Sequence, residues 1–488
     1  MDDNVVPALN PRRWHALPVV LTGSFLSFLD FFIVNIALPV IRRDLTASPA
    51  QLQLIVAAYG IGFGVSLITG GRVGDMFGRK RVFLIGVGAF TIASALCGLA
   101  LTPEMLIASR ALQGVTAALM TPQVLAIIRV EFTREEQPFA IGLYGASMGF
   151  ASIAAQLVGG PLVALDIFGS SWRSVFLINI PIGLAAIVVG MRTIKESRSL
   201  RRSPLDFLGI GLASLVLFFL IYPIVQGRES DWPLWSFVMV ALVPPLMTAF
   251  IAHERNFLRS GGLPLIALHL FGNGTISLGL MVSFLFYSGG AVFFVILTVF
   301  FQEGFGLSPA ATGLMFLPFA LGFAAASSSS AAVARRIGMW VINLGTVLMM
   351  VGLLGIIEFA RTAAASPENA LLQHGILTML FLVYGVGQGF AQPALINLVV
   401  GSNGTTSEDA GSAAGIFLTV IHSSMALGVA SIGDVFFWAL AGSSTKASYL
   451  DALSKAFMCN LSLLVATFMI VLWFPKLARG LTRATAAS

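Results

Sequence analysis

Three charged residues stand in stretches that are otherwise apolar: Asp30 in Leu29-Asp30-Phe31-Phe32-Ile33, Arg110 in Ala108-Ser109-Arg110-Ala111-Leu112, and Asp434 in Ile432-Gly433-Asp434-Val435-Phe436. An ionised carboxylate is costly in a low-dielectric setting, so such a group pairs with a cation or takes up a proton. Asp30 is therefore a candidate for loading and releasing a proton, the alternative being hydrogen bonds to a neighbouring segment. A guanidinium keeps its proton in proteins, which makes Arg110 a fixed charge that either tunes a nearby carboxylate or anchors backbone carbonyls. Asp434 is a second titrating candidate, or a carboxylate at a water-filled mouth. Asn35, Tyr59, Gln113, Gln123, Gln156, Tyr287, Gln388, Gln392 and His422 are uncharged polar residues in similar surroundings. They could line a substrate cavity, and serve equally as hydrogen-bonding groups between helices. Cys97 and Cys459 have neither CxxC spacing nor a histidine cluster nearby, so neither a disulfide nor a metal site is expected.

The composition says what must hold these residues. The chain has 488 residues, 57% hydrophobic and only 10% charged, with a mean hydropathy of +0.91. A water-soluble domain of that make-up would expose a very large apolar surface, so lipid is the expected solvent. Runs long enough to cross a bilayer as helices fall at 16–41, 52–72, 80–101, 104–130, 138–162 and 172–193, then at 205–226 and 233–253. Six more follow at 274–302, 310–334, 338–359, 371–400, 410–442 and 457–476. The expectation is an all-α polytopic membrane protein in three units: a six-helix bundle over 1–200, two additional helices over 201–260, and a second six-helix bundle over 261–488. Arg12 and Arg13 precede the first run, but the run continues to Ile41 without an A-x-A-like site, so it reads as a retained first helix.

The formal charge of +6 and pI near 9.6 do not point to nucleic acid, because the basic residues form short clusters between apolar runs. With both ends placed inside, 20 of the 28 lysines and arginines fall on the inner side, 7 on the outer, and Arg110 alone within a span. Cytoplasmic loops are enriched in Lys and Arg, so both termini are expected in the cytoplasm. At 1.5 Å per residue Arg110 lies about 9 Å and Asp30 about 16 Å from the outer ends of their spans, a difference an arginine side chain largely bridges. Glu303 and Glu358 fall at outer span ends, where solvation is expected.

The loop Gly71-Arg72-Val73-Gly74-Asp75-Met76-Phe77-Gly78 joins spans two and three, and Ala331-Ala332-Val333-Ala334-Arg335-Arg336-Ile337-Gly338 occupies the same place in the last six. Paired halves are how many transporters build a central site that opens alternately to each side. In the first loop, glycines permit a tight reversal, and Asp75 can accept hydrogen bonds at the next helix start or pair with a cation.

Extended through Arg79-Lys80-Arg81, that loop resembles the signature between helices two and three of the major facilitator superfamily. Leu29-Asp30-Phe31-Phe32-Ile33-Val34-Asn35-Ile36-Ala37-Leu38-Pro39 is similar to the first-helix motif of its fourteen-helix drug:proton antiporter family. Arg110-Ala111-Leu112-Gln113-Gly114 resembles the fourth-helix motif, Trp172-Arg173-Ser174-Val175-Phe176-Leu177-Ile178-Asn179-Ile180-Pro181 the start of the sixth helix, and Ser308-Pro309-Ala310-Ala311-Thr312-Gly313 a loop of the second half. Together they span nearly the whole chain in order. Two positions depart from the pattern. The fifth helix has Ala151-Ser152 where family members carry Gly-Pro, although Gly149, Gly159 and Gly160 are present, and Met76 replaces a basic residue.

The resemblance implies a major facilitator fold of 14 transmembrane helices, arranged 6 + 2 + 6. It also implies proton coupling through Asp30 and Arg110, to which Asp434 is added from its own apolar surroundings, and a conformational latch at Gly71, Asp75, Gly78, Arg79 and Lys80. Asn35, Tyr59, Gln113, Gln156, Gln388 and Gln392 are the residues expected to face a substrate cavity. The expected function is proton-coupled efflux of small amphipathic or cationic molecules across a bacterial cytoplasmic membrane by alternating access, without catalysis. The partners are then the lipid bilayer, the small-molecule substrate and protons. No cofactor is expected, and the chain contains no GxxxxGK[ST] loop for direct ATP drive. A dedicated exporter of one metabolite or natural product is the alternative, and a membrane receptor that no longer transports is a third.

Overall fold

Inside a bilayer the backbone must satisfy its own polar groups, and a single apolar segment does so as a helix. The computed structural model describes residues 13–133, 135–166, 169–198, 206–262, 264, 268–365, 370–400, 407–440 and 445–486, and contains no strand among them. The first group of helices is α1 (Arg13–Asp44), α2 (Pro49–Phe77), α3 (Arg79–Gly98), α4 (Pro103–Glu131), α5 (Gln137–Leu165) and α6 (Asn179–Thr193). Next come α7 (Phe207–Glu229) and α8 (Leu234–Arg259). The last group is α9 (Gly274–Val299), α10 (Leu317–Ile337), α11 (Trp340–Ala365), α12 (Ala370–Val400), α13 (Ser407–Leu440) and α14 (Lys446–Ala486). Among the described residues fourteen helices are long and apolar enough to span a membrane.

Three elements differ from the sequence expectation. α14 begins at Lys446, eleven residues before the expected 457, so Lys455 lies within a helix and pairs with Asp451 at 2.7 Å. Those amphipathic residues, about three turns of helix, are too polar to register as part of a hydrophobic run. Spans six and ten are interrupted: a short helix Ser174–Leu177 leads into α6, and Pro309–Met315 leads into α10, which restarts at Leu317-Pro318. Pro318 falls in the first turn of the restarted helix, where its missing N–H leaves no hydrogen bond unmade. Conversely, Gly145–Ser152 runs as uninterrupted helix inside α5, as expected where the Gly-Pro pair is missing.

Local chemistry sets the tight turns. Ser48 caps α2 with a reciprocal capping box: its Oγ accepts from the Gln51 N–H at 3.2 Å and the Gln51 Oε1 accepts from the Ser48 N–H at 2.8 Å. Thr102 and Ser308 cap their helices with the side-chain oxygen alone, accepting from the Met105 and Ala311 N–H groups, each followed by a proline at the first helical position.

The packing repeats between the halves. α2 and α3 both pack on α4, α1 on α5 and α3 on α6; eight helices further along, α10 and α11 pack on α12, α9 on α13 and α11 on α14. The halves meet in crossed pairs: α2 runs along α13, α5 runs against the Pro309–Met315 helix and α10, and α1 touches α9. α7 lies over the α2–α13 seam, where Ile221 and Val225 pack with Ala50, Ala57, Ala426 and Ala430. α8 leans mainly on α7 and is the least buried span.

α1 starts and α14 ends at one face of the bundle, called here the terminal face. Arg13 clamps Glu136 there through Nε (3.1 Å) and Nη2 (2.9 Å), and this hydrogen-bonded guanidinium holds the Glu136 carboxyl below its usual range.

Candidate functional site

The two deep charges meet inside the first half. Arg110 donates from Nη1 to Asp30 Oδ2 and, at 2.8 Å, to Gln113 Oε1; its Nε donates to the Ile55 carbonyl at 3.2 Å. Asp30 Oδ1 accepts from Gln113 Nε2 at 2.8 Å and from Asn179 Nδ2 at 2.7 Å. Both amides also donate to Ser94 Oγ, at 3.0 and 2.9 Å, and that hydroxyl donates to the Phe176 carbonyl. Asp30, Ser94, Arg110, Gln113 and Asn179 are all 0% exposed. Arg110 lies 4.4 Å from the centre of the Tyr59 ring, a cation–π contact in a desolvated place.

Helix packing explains the assembly. Asp30 comes from α1, Ser94 from α3, Arg110 and Gln113 from α4, and Asn179 opens α6 where the chain restarts after the short Ser174–Leu177 helix. Gly114 lets α2 and α4 close up: a Cβ there would fall 2.2 Å from the Tyr59 carbonyl oxygen and 2.9 Å from the Phe63 nitrogen. That approach lays Tyr59 over the guanidinium. A buried pair is tolerable only when its remaining lone pairs and protons are satisfied. Three side-chain donors on one carboxylate meet most of that demand, while Arg110 Nη2 has no partner among the described residues.

Tyr59 and Gln113, two of the expected cavity residues, are completely buried within this network. Asn179, inside the sixth-helix motif, and Ser94 join the network only through the packing of α6 and α3. For Asn179 the available signal was a lone amide at the start of an apolar helix.

The aromatic side of the cluster reaches the other half. Tyr59 stacks with Phe63 at 6.2 Å, and Phe63 stacks at 3.9 Å on His422 of α13. Phe28 and Phe31 of α1 meet the same imidazole edge-on. His422 Nδ1 bonds the Leu418 carbonyl at 3.0 Å, and its Nε2 is buried without a partner among the described residues.

From mid-span to the face opposite the termini, the halves are in close contact. Thr419 Oγ1 donates to the Gly64 carbonyl at 3.2 Å, and Gln302 Nε2 to the Ile36 carbonyl at 2.9 Å. A Cβ on Gly160 would fall 2.5 Å from the Pro309 carbonyl oxygen. Glu303, expected to be merely solvated, joins three helices: it pairs with Arg42 at 2.7 Å and accepts from the Tyr449 hydroxyl at 3.0 Å. A π-helical turn, Phe300–Gly304, swings Gln302 and Glu303 into this seam. Such turns commonly re-aim functional side chains, and neither the turn nor its ion pair was legible in the run of apolar residues before it.

The remaining candidates are spread out. Asn35 is fully buried on α1 with both amide atoms unpartnered among the described residues, and Gln156 Nε2 reaches the Phe32 carbonyl at 3.4 Å. Gln388 and Gln392 are half-buried on α12. Gln123 ties α4 to the Gly70 carbonyl at 2.7 Å, and Tyr287 is buried on α9. Asp434 is half-buried on α13, far along the chain from the Asp30 cluster and next to Gly433, which faces Gln53 of α2.

At the terminal face, Asp75 pairs with Arg79 at 2.8 Å within its own loop, and Gly78 turns with φ +110°. Glu196, past α6, accepts from the backbone N–H groups of Lys80 and Arg81, both at 3.1 Å, and Lys80 Nζ reaches the Met191 carbonyl. Gly71 sits beside Pro122. These contacts fasten the loop to the first half. Beyond it, Arg72 reaches the Pro264 carbonyl in the segment after α8. Among the described residues no group of three or more His, Cys, Asp or Glu side chains is placed to hold a metal ion.

Residues 20–429 match the family model of the Major Facilitator Superfamily. A probable actinorhodin transporter of Streptomyces coelicolor is 36% identical, covering 91% of this chain and 76% of its own length. The cephamycin export protein of Amycolatopsis lactamdurans is 32% identical over 95% of this chain and 93% of its own. Among solved structures, a bacterial homologue of the human lysosomal transporter Spinster, inward-facing and occupied, superposes with a TM-score of 0.65 at 14% identity, covering 96% of this chain and 97% of that one. At that identity the likeness concerns the fold alone. Among the described residues, two similarly packed sets of six membrane helices with two further helices between them, and a family match over most of the chain, make this protein a multi-pass membrane transporter of the Major Facilitator Superfamily.

Proposed function

We propose that the protein exports a small amphipathic or cationic molecule from the cytoplasm in exchange for protons, the halves 1–200 and 261–488 rocking about the seam between them. The observation that carries this reading is the fully buried Asp30, held by Arg110, Gln113 and Asn179. Protonation of Asp30 removes the counter-charge of Arg110. The released guanidinium changes its hold on Tyr59, and the aromatic contacts through Phe63 carry that change to His422 in the other half. Proton entry supplies about 2.3 kcal/mol per charge for each 100 mV of membrane potential.

In this reading the terminal face is cytoplasmic, in keeping with the distribution of basic residues. The chain then rests closed toward the outside, and the Asp75 loop, attached to its own half, is free to latch the other half when the cytoplasmic side closes. Asn35, Gln156, Gln388 and Gln392 are the groups assigned to the substrate path, and Asp434 is a reserve proton site. No cofactor is required. A dedicated exporter is supported equally well, because the similar proteins include a probable actinorhodin transporter, a cephamycin export protein and a tetracenomycin C resistance and export protein.

The test is a substrate panel in proteoliposomes with an imposed pH gradient. Gradient-driven flux of several unrelated cations supports the broad reading, and flux of one natural product the narrow one. Flux that ignores the pH gradient would overturn proton coupling.

A further inference from the structure

Between the end of α10, the start of α11 and α14 lies a groove of about 570 Å³ at the terminal face, lined by Arg336, Ile337, Trp340, Asn343, Leu344, Val347 and Phe468. Its walls open outward to the lipid: Ile337 is 38%, Trp340 56%, Leu344 40% and Val347 37% exposed. Two polar groups interrupt the apolar lining. Arg336, in the last turn of α10, is exposed and has no acidic partner among the described residues. Asn343 is only 3% exposed, and neither its Oδ1 nor its Nδ2 has a partner among the described residues.

A buried amide without partners is unfavourable by the desolvation of both its atoms, so Asn343 calls for a ligand that the protein does not supply. Water is a poor candidate in a groove walled by Ile337, Leu344, Val347 and Phe468. The groove needs an occupant that is apolar along its length, negatively charged at one end, and an acceptor of hydrogen bonds just below the charge.

We propose that this groove binds one anionic phospholipid, its phosphate on Arg336, an ester carbonyl accepting from Asn343 Nδ2, and an acyl chain along Leu344, Val347 and Phe468. The spacing agrees with the chemistry. Asn343 lies three residues beyond Trp340, roughly 5 Å deeper along α11, and Trp is the residue that favours the headgroup level. The ester layer lies just beneath that level. Arg336 supplies a charge that a zwitterionic lipid would use less well, because its own cationic headgroup competes. The bound lipid would brace the α10–α11 turn, the second half's counterpart of the Gly71–Gly78 loop, against α14.

The test is native mass spectrometry of the purified full chain titrated with dioleoyl phosphatidylglycerol, dioleoyl phosphatidylcholine or glycerol phosphate. One phosphatidylglycerol should be retained in preference to phosphatidylcholine, with glycerol phosphate much weaker. Retention should fall about fivefold in Arg336→Gln, fall several-fold in Asn343→Leu, and stay unchanged in Arg335→Gln, whose side chain does not line the groove. Asn343→Leu removes an unpartnered amide, so that variant should fold. Equal retention of the two lipids, tight glycerol phosphate binding, or an Arg335→Gln loss as large as that of Arg336→Gln would each overturn the site. Binding is read here without any flux, so the result is independent of whether the protein exchanges protons.

Discussion

Replacing Asp30 by Asn looks mild in a sequence, since the two side chains are isosteric, but its surroundings make it severe. Asp30 accepts three side-chain hydrogen bonds, from Arg110, Gln113 and Asn179, at a fully buried position. An amide at residue 30 can turn its oxygen to Gln113 and Asn179, but its NH2 then faces the guanidinium, donor against donor. Arg110 is left as a buried charge with no counter-ion. Breaking one partner of a buried pair is destabilising by about 3–5 kcal/mol, roughly a 10²- to 10⁴-fold change in the folded-to-unfolded ratio. Arg110→Gln in the same chain removes the orphaned charge, so the double variant should regain most of that loss while still lacking a titrating group. The assay is a double-mutant cycle on unfolding in mild detergent, with substrate-induced proton release measured on the same samples. A coupling energy below about 1 kcal/mol would refute the buried pair, and normal proton release from the double variant would refute its role.

Glu303→Gln weakens a seam ion pair whose side chains are 35% and 17% exposed, so the screened loss is about 1 kcal/mol or less. It should move the equilibrium up to about fivefold toward states open at that face, read as longer distances between spin labels at Leu99 and Lys446. Unchanged distances would reduce the contact to a surface pair. Gly114→Ala forces α2 away from α4 and should destabilise by about 1–3 kcal/mol, with loss of export larger than for Gly142→Ala, where an added Cβ meets nothing within 4 Å. Asp75→Asn should leave stability nearly unchanged, because its side chain is 43% exposed beside Arg79, but should slow initial uptake into inverted vesicles. Wild-type rates in that variant would leave Asp75 a role in the turn alone.

The sequence by itself determined that this chain lives in lipid, that it forms fourteen helices and where most of them run. Those features rest on runs of apolar residues and on capping residues such as Ser48, Thr102 and Ser308, which act over a few neighbours. It also marked Asp30 and Arg110 as anomalous, because an isolated charge in an apolar run is visible in one dimension. What holds those charges was decided by tertiary structure. Ser94, Gln113 and Asn179 come from α3, α4 and α6, and only the close approach of these helices makes one carboxylate the acceptor for several of them. The same is true of Glu303: its distance along the chain from Arg42 and Tyr449 hides a contact created by a π turn and by the packing of two halves. Helix formation is local in lipid because each segment must satisfy its own backbone, whereas pairing of buried polar side chains depends on which helix faces come together.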